Sequence, residues 1–63
     1  MTAKEMTETI VKKHGEMETE MMAYVEKGSN AAARRARAAS LELAKLYKEY
    51  RRITLEEAKN KKS

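Results

Sequence analysis

Two stripes of apolar residues at helical spacing, divided by a single turn signal, leave this chain few ways to fold. In the first half, Ala3, Met6, Ile10, His14, Met17, Met21, Tyr24 and Val25 share one helix face, following the i+3/i+4 rule. In the second half, Ala32, Ala36, Ala39, Leu43, Leu46, Tyr50 and Ile53 alternate steps of four and three, the seam of a coiled coil. Between them stands Gly28-Ser29-Asn30. Glycine suits the left-handed position just past a helix end, and Ser29 or Asn30 suits the cap of the next helix. No proline interrupts either stripe.

The expected fold is therefore all-α: an antiparallel two-helix hairpin, coiled-coil-like, forming one domain over residues 1–63. Its first helix spans about 3–27, its turn 28–30, and its second helix about 31–60. Thr2 and Glu5 have the spacing of a capping box at the first N-terminus. Two features compete with this outline. Lys12-Lys13-His14-Gly15 resembles a helix C-terminus, yet the stripe keeps its phase across it, which favours a continuous helix. Thr54-Leu55-Glu56-Glu57 repeats the capping-box pattern and offers the start of a short third helix.

A chain of 63 residues buries too little surface to be amply stable alone, and small scaffolds rely on disulfides, metals or partner chains. With no cysteine, disulfides and thiolate metal sites are excluded. Self-association is the remaining means, so the hairpin is expected to assemble as a homo-oligomeric helical bundle, a dimer being favoured. Its core and interface residues are expected to be Met6, Ile10, His14, Met17, Met21, Tyr24, Leu43, Leu46, Tyr50 and Ile53. Val11, Met22, Leu41 and Leu55 fall outside the main stripe and would widen that interface or serve a higher assembly. Mean hydropathy is −0.85, no apolar run approaches a membrane span, and Glu5 and Glu8 break up the N-terminal apolar residues. A small, soluble, cytoplasmic protein is the expectation.

Catalysis has little to work with. The chain has one histidine, no cysteine, no aspartate and no Gly-rich phosphate loop. His14 and Glu18 share an i+4 spacing, but two ligands do not make a metal site. His14 is better explained as a packed, hydrogen-bonded histidine of the core or interface, and the methionines as gap-fillers. No enzyme activity, metal, cofactor or small-molecule substrate is expected.

Charge carries the functional signal. The net charge of +4 divides into four Lys against six Glu over residues 1–28 and ten Lys or Arg against four Glu over 29–63. All five arginines lie in the second half. On a helical projection, Arg34, Arg37, Lys45, Lys48, Arg52 and Lys59 gather opposite the seam, with Arg35 and Arg51 flanking them. Glu42, Glu49, Glu56 and Glu57 fall toward the seam's other flank. Lys61 and Lys62 extend the charge at the C-terminus. From Arg34 to Arg52 the rise is about 27 Å, enough to track phosphates over most of a duplex turn. Tyr47 and Tyr50 point toward the seam, so no aromatic platform for stacking single-stranded bases accompanies the cations.

Gly28-Ser29-Asn30-Ala31-Ala32-Ala33-Arg34-Arg35-Ala36-Arg37, followed by Ser40, Leu43, Leu46, Tyr50 and Arg51, resembles the bacterial histone H1-like nucleoid proteins of chlamydial type. The family pattern is a Gly-Asn turn, an Ala-rich Arg-x-Arg segment and a basic amphipathic helix. The resemblance covers roughly residues 25–59. This chain inserts Ser29 between Gly and Asn, has Ala31 where Lys is usual, and carries no long Lys/Ala-rich tail. The resemblance implies a sequence-nonspecific architectural protein of the nucleoid that binds double-stranded DNA, with RNA as the alternative polyanion. Arg34 and Arg37 are the residues that carry over by position. The second reading is a helical protein–protein interaction module whose basic face docks an acidic partner. A basic amphipathic helix lying on an anionic membrane is disfavoured, because the apolar seam is needed for the fold.

Overall fold

The structure, a computed structural model, describes residues 1–61, with the side chain of Lys61 left out. It is an antiparallel hairpin of two α-helices, α1 (Ala3–Lys27) and α2 (Asn30–Lys61). Helix formers dominate both segments, so local preference and amphipathic pattern point the same way.

Each end of α1 is held by the chemistry its sequence supplies. The Glu5 amide donates to the Thr2 hydroxyl at 3.2 Å, and the Thr2 amide donates to the Glu5 carboxylate at 2.8 Å. These reciprocal bonds satisfy two of the amides that the first turn leaves open. At the other end Gly28 adopts φ 65°, ψ 28°, and its amide donates to the Tyr24 carbonyl at 2.9 Å. A side chain there would meet its own backbone, which is why glycine ends the helix.

Helix α2 begins at Asn30, one residue before the expected start. Ser29 is the reason: its hydroxyl accepts from the Ala32 amide at 3.1 Å and its carbonyl from the Ala33 amide at 3.2 Å. Asn30 is thereby the first helical residue and Gly28-Ser29 is the connection.

Neither competing break occurs. Helix α1 runs unbroken through Gly15. Helix α2 runs unbroken through Thr54, because both partners of that capping box are engaged elsewhere. The Thr54 hydroxyl turns back to donate to the Tyr50 carbonyl at 2.8 Å. The Glu57 carboxylate crosses the hairpin to accept from the Ala3 amide at 2.9 Å. Glu57 thus sits at the positive end of α1, where a carboxylate is favoured.

The buried residues are Met6, Ile10, Ala32, Ala36, Ala39, Leu43 and Ile53. Large side chains meet toward the open end, where Met6, Ile10, Leu43 and Ile53 form the core with Ala3, Met17 and Leu46 packed against it. Toward the turn the core is alanine, with Ala32 fully covered. Small residues there allow the helices to converge into a two-residue connection.

The single hairpin buries only part of its expected apolar stripe. His14, Met21, Tyr24 and Tyr50 are exposed on it, and Met17 and Leu46 are half-buried. Two helices can cover only a narrow strip of each other, so residues displaced around either helix stay at the flanks. The rod measures 51 × 15 × 14 Å. No helix among the described residues is long and apolar enough to cross a membrane.

Candidate nucleic-acid interface

Packing α1 against one side of α2 leaves the opposite side of α2 facing water along its length. Arg34, Arg37, Lys45, Lys48, Arg51, Arg52 and Lys59 are all exposed there or on its border. Arg35 is exposed as well but lies nearer α1. Lys62 and the side chain of Lys61 lie outside the described residues.

The cations differ in what already holds them. Arg35 Nε donates to Glu20 Oε2 at 2.9 Å, tying α2 to α1. Arg52 donates to Glu49 at 2.7 Å and to Glu56 at 3.2 Å, within its own helix. Lys13 bridges Glu16 at 3.1 Å and Glu42 at 3.0 Å. These contacts raise all three pKa values above the ordinary ones. Hydrogen bonding to Glu42 is the chief cause for Lys13, to Glu20 for Arg35, and to Glu49 for Arg52. Among the described residues, Arg34, Arg37, Lys45, Lys48, Arg51 and Lys59 make no ion pair.

The basic face is thus narrower than the helical projection makes it. Arg52 belongs to the projected stripe, but its guanidinium is drawn toward the acidic flank by Glu49 and Glu56. Its neighbours three before and four after supply that pairing, a local spacing rule that the projection did not weigh. Leu41 stands within the same face, 68% exposed.

The two flanks between the helices are unlike. One is polar: Lys13, Glu16 and Glu20 of α1 line a groove with Arg35 and Glu42 of α2. On the other, Val11 and His14 of α1 meet Tyr47, Tyr50 and Arg51 of α2. There the His14 Nε2 and the Tyr47 hydroxyl share a hydrogen bond, the rings edge to face with centroids 5.7 Å apart. His14 is therefore a hydrogen-bonded residue of the flank and does not belong to the hairpin's core. No group of three or more His, Cys, Asp or Glu among the described residues is placed to hold a metal.

Among the described residues, then, the hairpin presents a cationic face on α2 and no cluster placed to hold a metal. The chain belongs to the family described as histone H1-like protein Hc1, whose model matches residues 4–60. The match takes in α1 as well as the Arg-rich segment that carried the resemblance. Proteins of this family are non-catalytic. No curated protein and no solved structure matches the chain.

Proposed function

We propose that the protein is an architectural, sequence-nonspecific double-stranded DNA-binding protein of the bacterial nucleoid. Family membership supports the architectural DNA-binding role and, with it, a cytoplasmic, nucleoid location. The observation that carries the mechanism is the row of exposed cations on the outer face of α2 that have no carboxylate partner among the described residues. Arg34, Arg37, Lys45, Lys48 and Lys59 form its spine, with Arg51 at its edge. Arg35 and Arg52 contribute after exchanging a carboxylate for a phosphate, and Lys61 and Lys62 extend the charge.

Binding proceeds by release of counterions as these side chains neutralise phosphates, with little reading of base edges. Arg34 and Arg37 stand beside the turn, where guanidinium forks fit phosphate oxygens in pairs. The hairpin acts as a homo-oligomer, a dimer by preference. Met21, Tyr24 and Tyr50, exposed on one copy, support this, since an oligomer would cover them.

Gel shifts on unrelated duplexes at two salt concentrations test the reading. Equal affinities that fall steeply with salt are expected. Reversing both arginines, R34E with R37E, should abolish binding and leave helicity unchanged. A double variant that binds as well as the parent rules out this face. A second reading is favoured by one observation: Leu41, exposed amid the cations, has no role in holding phosphates. It suits an acidic protein partner with an apolar contact, and L41S would then weaken that partner's binding and leave DNA affinity alone.

A further inference from the structure

The apolar flank is where the fold is unfinished. On α1, the apolar Val11, Met21 and Val25 share this flank with the polar Thr7, His14 and Glu18, in two rows of period seven. These rows connect two grooves between the helices: one at Val11, Tyr47 and Tyr50, the other at Met21, Val25, Ala33 and Ala36. The flank is water-facing over its length, with Val11 62% and Val25 76% exposed. Apolar residues recurring on one face are what pack one helix on another, and Val11, Met21 and Val25 supply part of such a face. The hairpin's own core, in which three of the seven buried residues among those described are alanines, is small for a stable fold.

We infer that a second copy of the chain docks on this flank, flank to flank, with the two turns at the same end of a four-helix bundle. The inference rests on the homo-oligomer reading above and specifies its surface and orientation. Charge selects the orientation. Over its helical span α1 carries four Lys and six Glu, whereas α2 carries nine Lys or Arg and four Glu. Turns at the same end put each α1 over the partner's α2, opposite in net sign. Turns at opposite ends put α2 over α2, and the borders bearing Arg37 and Arg51 then confront each other.

The register within the hairpin carries over to the same-end bundle. His14 lies level with Tyr47, and Glu20 with Arg35. Glu18 of one copy therefore lies between the levels of Arg37 and Leu43 of the other, at the edge of the new interface. Every neighbouring helix pair is antiparallel. The outer faces of the two α2 helices point to opposite sides of the bundle, so one dimer presents two separate basic rows. Such a particle is built to hold two duplexes apart and together at once.

The lack of cysteine makes the test direct. A nitroxide on E26C, next to the turn, and another on K4C, at the open end, are measured separately on dimers without nucleic acid. With turns together, helix spacings of about 8–10 Å keep each label within about 30 Å of its twin. With turns apart, twins are separated by most of the 51 Å length. Light scattering should give twice the 7.2 kDa chain mass. It should give the single-chain mass for V25K, and the dimer mass for L41K on the outer face.

A single-chain or larger-than-dimer mass for the parent overturns the inference, as does a dimer broken by L41K and spared by V25K. Long twin distances in a true dimer overturn the orientation and leave the oligomer standing. None of these readouts involves DNA, so the DNA-binding reading stands or falls separately.

Discussion

Arg35 Nε lies 2.9 Å from Glu20 Oε2, a contact joining α2 to α1 across the polar flank. It separates Arg35 from the nearby Arg34 and Arg37, which make no ion pair among the described residues. Of the Arg-Arg-x-Arg segment, one arginine is tied to α1 and two stand exposed without such a tie.

The salt dependence of DNA binding should distinguish them. R34Q and R37Q should each lower the slope of log affinity against log salt by about 0.9, one phosphate contact apiece. R35Q should lower it by less and should instead loosen the hairpin. Fluorescence anisotropy titrations at four salt concentrations read the slopes, and thermal melts read the loosening. Equal slopes for all three variants would mean that Arg35 gives up Glu20 and meets phosphate as fully as Arg34 and Arg37 do.

The two glycines should answer alanine with opposite signs. Gly15 has helical neighbours on both sides, and a Cβ there would meet nothing within 4 Å. G15A should stabilise the hairpin by about 1 kcal/mol, the difference in helix propensity. Gly28, at φ 65°, also has open space, but its backbone is left-handed. G28A should destabilise by about 1 kcal/mol. Urea melts followed by circular dichroism measure both.

The Glu57 carboxylate is a cap delivered from the other helix, 54 residues from the Ala3 amide it accepts. E57A should cost about 1 kcal/mol, comparable to the loss of an ordinary N-cap. Hydrogen exchange should speed up in the first turn of α1 more than at Gly28. Uniform loss of protection along α1 would mean that Glu57 acts on the whole hairpin and not on its open end.

Lys13 should give the hairpin a small dependence on alkaline pH. Hydrogen bonds to Glu42, then Glu16, raise its pKa above the ordinary 10.5. A raised folded value means that the contribution is complete below 10.5 and is lost as pH rises through the folded value. Melting temperature should therefore fall over that range in the parent, and K13M should lack this part of the fall. Identical pH profiles would show that the bridge adds nothing to stability.

The hairpin was legible in the sequence because its determinants are local. Gly28 and Ser29 fix the turn by backbone conformation and capping, and the apolar stripe fixes which faces meet. The false third-helix signal at Thr54 shows the limit of local rules. A hydroxyl and a carboxylate at capping spacing say nothing of a free amide on another helix, and Ala3 claims Glu57. The same limit applies to the basic face. Which arginine is held and which is free depends on register between helices, which brings Glu20 to Arg35 and Glu42 to Lys13. Periodicity placed His14 on the apolar stripe, but how far around the helix a residue can stray before it meets water depends on the breadth of the neighbouring helix. One helix is too narrow to cover it.

The rod's length sets a scale for the complex it would form. A body 51 Å long, laid with α2 along a duplex, spans about 15 base pairs at 3.4 Å per step. Neighbouring rods on the same side of the duplex would then exclude one another at closer spacing. Saturation at one rod per about 15 base pairs on each occupied side would mark lengthwise binding, and denser packing would mean that the rods stand across the helix.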